Sequence, residues 1–190
     1  MCDEDLRRRL ATDLDAAFEQ LVLAYQHRLF AFALRICGQT QDAEEITQDA
    51  LLRAYRALST YPAQRISALA VRPWLFQITL NVARNRLRTP RPFIEPLGLG
   101  DDGGIEPRAA ARDQPAQQYE RAESERELAA VILRLPDRYR AAVVLRHVAG
   151  LGYGEIAAIT GQPVGTIKAN VHRGVRILRS ALELVPSKVG

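Results

Sequence analysis

The chain has 190 residues, 47% of them apolar and 25% charged, which allows one large domain or two small ones with packed cores. Its acidic N-terminus and short apolar runs give no signal peptide and no membrane span. Cys2 and Cys37 stand too far apart for a disulfide framework or a zinc site, so the cytoplasm is the expected compartment. The net charge of +4 is unevenly spread: residues 1–49 carry −5, 50–94 carry +8 without a single acid, 95–127 carry −5 and 128–190 carry +6. Two basic blocks separated by an acidic one suggest two contact zones for a polyanion.

Residues 14–36 place Phe18, Leu21, Val22, Tyr25, Leu29, Phe32, Ala33 and Ile36 at helical spacing, predicting one amphipathic helix that ends at Gly38. Asp42 is expected to cap a second helix running to about Leu58, with Ile46, Ala50, Ala54 and Leu58 inward. Its other face carries Glu45, Gln48, Asp49, Leu52 and Arg56; the apolar Leu52 on this polar face is compatible with a protein partner. Ser59–Val71 reads as irregular around Tyr61-Pro62. A third helix, from near Pro73 to about Arg88, points Leu75, Ile78, Thr79, Val82 and Ala83 one way and Gln77, Asn81, Arg84 and Arg88 the other, with Trp74 and Asn85 at the edges. Arginine for phosphates, amides for base edges and an aromatic for stacking suit a single strand or a groove. A solvated helix face with Trp74 in the core is the competing reading.

Thr89–Gln118 breaks every period and holds five of the ten prolines, so it reads as a linker. Tyr119–Leu135 resumes a helix with Leu128, Val131, Ile132 and Leu135 inward. Asp137–Ala149 is apolar almost all round and is expected to be the central buried helix of the C-terminal unit. Residues 152–179, GYGEIAAITGQPVGTIKANVHRGVRILR, predict two helices joined by a tight turn. Glu155 can reach back to the Gly152 amide, Gly161 suits a left-handed C-terminal position, and Pro163 suits the first turn of the next helix. Val164, Ile167, Val171, Val175 and Leu178 form a seam there. Thr166, Ala169, Arg173 and Arg176 lie opposite, flanked by Lys168, Asn170 and His172, and no acid occurs between Ile156 and Leu182. An apolar seam backed by a basic face is what a DNA-recognition helix needs, one side packing and the other entering a phosphate-lined groove.

Three stretches in order, DAEEITQDALLRAYRAL (42–58), RPWLFQITLNVARNRLR (72–88) and LPDRYRAAVVLRHVAGLGYGEIAAITGQPVGTIKANVHRGVRIL (135–178), resemble regions 2.2, 2.3–2.4 and 4 of bacterial RNA polymerase sigma factors of the extracytoplasmic-function group. The resemblance implies an all-α fold of two small helical domains, region 2 over 1–88 and a region 4 helix-turn-helix over 119–190, joined by the 89–118 linker. It implies docking on the clamp and flap of core RNA polymerase, the clamp through Glu45, Gln48, Asp49, Leu52, Arg53 and Arg56. It places Trp74, Asn81, Arg84, Asn85 and Arg88, with Arg65 of the preceding loop, at the promoter −10 element. Thr166, Lys168, Ala169, Asn170, His172, Arg173 and Arg176 fall at the −35 element. A monomer without cofactor, metal or small-molecule substrate is implied, with an anti-sigma factor as a further partner. The loop before Trp74 lacks the family's Phe-x-Gly-x-Ser-x-Phe pattern, and Ala169 and Asn170 stand where Ser and Arg are frequent. Among other readings, a dimeric helix-turn-helix regulator leaves the basic 50–94 block without a role. An RNA-binding adaptor is permitted by the basic stripes alone, and no nucleophile or phosphate-loop motif supports an enzyme.

Overall fold

A computed structural model describes residues 3–88 and 115–183, with side chains over 4–88 and 125–183. Every regular element among them is an α-helix. The N-terminal half comprises α1 (Asp3–Thr12), α2 (Leu14–Cys37), α3 (Thr40–Thr60), α4 (Ala63–Ser67) and α5 (Val71–Arg88); the C-terminal half comprises α6 (Pro115–Arg134), α7 (Asp137–His147), α8 (Tyr153–Thr160) and α9 (Val164–Glu183).

The long α2 starts at Asp13, whose side chain accepts from the Ala16 amide at 3.2 Å, and ends at Gly38. Its inward stripe, including Leu21, Leu29, Phe32 and Ala33, is fully buried against α3 and α5, and Phe32 meets Phe76 of α5 edge to face at 5.2 Å. On α3 the inward Ile46, Ala50, Ala54 and Leu58 are all buried. The helix begins at Thr40, so Asp42 is not its cap but a first-turn residue. There it is buried and bound by Arg86 of α5 at 2.8 Å, while the same guanidinium also pairs with Glu45. Two short elements escape the sequence reading. The acidic start forms α1, which buries Leu6 and Leu10 on α2 and α4, and the loop read as irregular contains α4, anchored by buried Ile66.

In the C-terminal half α7 is the central helix, with Tyr139 and Ala141 to Leu145 buried. It stops at His147, leaving Val148 at 40% exposure, and Leu128 of α6 is likewise exposed. The linker read over 89–118 lies outside the described residues as far as 114. From Pro115 the chain is helical, four residues before the expected Tyr119, because proline tolerates the first helical position where its missing N–H is no loss. The α8–α9 hairpin follows the turn chemistry: Glu155 accepts the Gly152 amide at 2.6 Å, and Gly161 takes φ 66°, a left-handed conformation that a Cβ would strain. α9 then crosses α7 at Gly174, where a Cβ would stand 2.5 Å from Val143 Cγ2.

The halves meet where α2 packs on α6 and α7 and α5 packs on α8, and two arginines bridge them. Arg140 of α7 donates to the Ile36 carbonyl of α2 at 3.0 Å and to the Leu133 and Leu135 carbonyls, and Arg72 of α5 donates to the Ala149 carbonyl. Between them, Arg84, Leu87 and Arg88 of α5 face Asp137 and Arg140 of α7 across a cleft of ≈310 Å³.

Candidate nucleic-acid interface

The hairpin presents its basic face as a consequence of where α9 is covered. Ile167, Val171, Gly174 and Leu178 are buried against α7 and α8, so the positions between them point outward. Thr166, Lys168, Ala169, His172, Arg173 and Arg176 are all exposed. Asn170 is placed differently from the expectation: it is 7% exposed, and its side-chain amide donates to the Gln162 side-chain oxygen at 3.2 Å. It lies one turn after Ile167 and one before Gly174, so it belongs to the seam and ties the helix to the preceding turn rather than facing a groove. Val164, expected in the seam, is 42% exposed because it precedes the crossing with α7.

Two tyrosines organise the cations around this face. The Tyr153 ring carries the Arg146 guanidinium at 4.9 Å and the Lys168 ammonium at 5.8 Å. Tyr139 carries Arg138, whose guanidinium lies 4.7 Å from the ring centre and donates to the hydroxyl at 3.0 Å. Arg173 approaches the same hydroxyl. Its cation first, then the Arg138 contact, lowers the phenol's pKa against the opposing effect of desolvation. Neither tyrosine stood out in the sequence; the only available signal was a helical apolar position that also carries a polar tip.

On α5, Asn81, Arg84, Asn85 and Arg88 are exposed, while Thr79, Leu80, Val82 and Ala83 are buried. The competing pictures of Trp74 meet halfway: it is half-buried, packs on the core, and lies 6.2 Å from the Tyr61 ring. Arg65 of α4 covers Tyr61 with its guanidinium 3.6 Å from the ring centre. Arg65, Tyr61 and Trp74 thus form a run of cationic–aromatic contacts near the start of α5, the helix that carries the exposed Asn and Arg positions. Tyr61 was missed because its turn role with Pro62 accounted for it. No group of three His, Cys, Asp or Glu among the described residues could hold a metal ion.

The polar face of α3 is built differently. Gln48, Leu52, Arg53 and Arg56 are exposed, with Leu52 at 56%. Arg53 pairs with Asp49 one turn away at 2.9 Å; both side chains are about half exposed, so the pair contributes about 0–1 kcal/mol. Glu45 is engaged by Arg86 on its inner side. The outcome is a ring of charge around one exposed leucine.

The sequence matches "Sigma-70 region 2" over residues 21–91 and "Sigma-70, region 4" over residues 125–178. The RNA polymerase sigma-H factor of Pseudomonas aeruginosa is 32% identical over 185 residues, covering 95% of this chain and 94% of that protein. The ECF RNA polymerase sigma factor SigW of Bacillus subtilis is 30% identical over 170 residues, covering 87% and 89%. Among solved structures, the sigma factor RpoE in complex with the anti-sigma factor NepR from Bartonella quintana superposes with a TM-score of 0.63 at 24% identity, covering 88% of this chain and 98% of that one, which is a likeness of fold. The chain therefore belongs to the extracytoplasmic-function sigma factors of the sigma-70 family, the proteins that direct core RNA polymerase to promoters.

Proposed function

We propose that the three exposed faces divide the work of promoter-directed initiation. The α9 face, through Thr166, Lys168, Ala169, His172, Arg173 and Arg176, enters the major groove at the −35 element. The α5 face, through Asn81, Arg84, Asn85 and Arg88 with the Arg65–Tyr61–Trp74 stack, holds the melted −10 strand. The α3 face around Leu52, with Glu45, Gln48, Asp49, Arg53 and Arg56, docks on the polymerase clamp, and the C-terminal half on the flap. Asn170, buried and bonded to Gln162, is assigned to holding the turn rather than to base reading. The observation that carries the reading is the α9 surface: six outward side chains over a buried seam, with no acid between Ile156 and Leu182. Melted bases must be unstacked at a cost of a few kcal/mol, which an aromatic platform and arginine–phosphate contacts offset.

Reaching both elements requires the halves to part. Element centres about 25 base pairs apart lie about 85 Å from each other at 3.4 Å per pair. The 26 residues 89–114 can span at most about 86–94 Å when extended. In the packed arrangement Arg84 and Arg88 instead face α7. An anti-sigma factor that favours the packed form is the natural regulator of such a chain. It would act as a monomer in the cytoplasm, where polymerase and promoter DNA are found; no described helix is long and apolar enough to cross a membrane.

The test is reconstitution with core polymerase followed by mapping of transcript 5′ ends on genomic DNA. Starts that share two upstream elements support the reading. Failure to form a complex with core would exclude it.

A further inference from the structure

We propose that Arg138, Tyr139 and Arg173 form a clamp for one backbone phosphate beside the −35 element, with Tyr139 as the residue that positions both guanidinium groups. The inference rests on the −35 reading of α9 and adds to it two residues of α7.

The clamp is a product of helix packing. Gly174 lets the α9 backbone close on α7, where an added Cβ would meet Tyr139 Cβ at 3.4 Å and the Tyr139 carbonyl oxygen at 3.5 Å. Arg173, one residue earlier, is exposed and approaches the hydroxyl of Tyr139, a buried residue. Arg138 approaches from the other side, stacking on the ring at 4.7 Å and donating to the hydroxyl at 3.0 Å. Two like charges thus converge on one neutral oxygen. The neighbouring acid, Asp137, is turned toward Arg140 at 3.5 Å, and α9 supplies no carboxylate before Glu183. Convergence of cations without an acid is unfavourable until an anion arrives.

The hydrogen-bond inventory identifies the anion. The phenol oxygen already accepts from Arg138, so its own O–H is left to donate. Each guanidinium keeps further N–H groups in a planar fork that matches phosphate oxygens. Three donors of this kind at the edge of a recognition helix fit a backbone phosphate, which fixes the register of the helix without reading a base.

Holoenzyme made with the full chain is titrated onto a labelled promoter fragment taken from a mapped start, over a range of salt. Tyr139→Phe keeps the ring and removes the hydroxyl; binding should weaken by roughly five- to tenfold. Arg138→Ala should lower the magnitude of the salt slope by roughly 0.9, the release expected for one phosphate, and Arg138→Lys should restore that slope. In a background lacking both guanidinium groups, Arg138→Ala with Arg173→Ala, Tyr139→Phe should cost less than about twofold, because the residues it positions are gone. Ratios of binding between fragments that differ in upstream bases should stay unchanged. Tyr139→Phe and Arg138→Ala proteins that bind like wild type, or a changed base ratio, would overturn the clamp while leaving the −35 reading intact. Wild-type chain that forms no complex with core would instead remove the reading on which the clamp stands. If Tyr139→Phe fails to fold by circular dichroism, the Arg138 salt slopes decide alone.

Discussion

Replacing Arg86 with alanine tests how α5 is fixed to α3. Arg86 on α5 holds Asp42 at 2.8 Å and also pairs with Glu45, both on α3. These hydrogen bonds, Asp42's first, raise the guanidinium pKa further, so the cation is present at every working pH. The Asp42 side chain is 11% exposed and that of Arg86 is 30% exposed, so the pair lies between the buried and surface regimes. Removing one partner of a buried pair costs about 3–5 kcal/mol, whereas a surface pair contributes about 0–1 kcal/mol. Partial exposure and a second carboxylate left facing the first place Arg86→Ala at about 2–3 kcal/mol of lost stability. Urea unfolding followed by circular dichroism measures it, and a double-mutant cycle with Asp42→Asn isolates the pair. A coupling of about 1.5 kcal/mol or more is expected. Loss below about 0.5 kcal/mol in the single variant would refute the argument that this network joins the two helices.

Leu52→Asp should leave stability near wild type, since Leu52 is 56% exposed, while weakening core polymerase binding by about 2 kcal/mol, roughly thirtyfold; unchanged affinity returns Leu52 to an ordinary surface leucine. Asn170→Ala should cost about 0.5–1.5 kcal/mol of stability through its Gln162 bond and leave upstream base preference unaltered; a shifted preference would restore it as a base reader. In a Cys2→Ser chain, Cys37 should alkylate more slowly than free cysteine near neutral pH, because burial pushes its thiol pKa up and withholds the thiolate; a rate equal to free cysteine would contradict that environment.

What the sequence made legible was local. Helical periodicity identified α2, α3, α5, α7 and α9, and the Gly152–Glu155 contact and the left-handed Gly161 followed from capping chemistry. Apolar periodicity is blind to seam positions filled by other residue types. Asn170 and Gly174 belong to the inward face of α9, one through an amide bond and one by having no side chain, and neither counts as apolar in a hydropathy pattern. Asp42 has the residue type of a helix cap, and only Arg86, 44 residues away, turns it into a buried anchor. Val164 satisfies the spacing of the seam but precedes the crossing point, so it stays 42% exposed. The arginine contacts of Arg72 and Arg140 are long-range and depend on how the halves meet. The tyrosines that gather Arg138, Arg146, Lys168, Arg173 and Arg65 are of the same kind: a pattern of one helix does not show which cations arrive from the next.

On the proposed division of labour, one chain grips a promoter at two points whose separation the polymerase fixes. Inserting five base pairs between the two elements of a mapped promoter rotates one relative to the other by about half a helical turn. Transcription from that start should be lost with the reconstituted holoenzyme and return when the five base pairs are removed. Undiminished initiation from the lengthened promoter would contradict it.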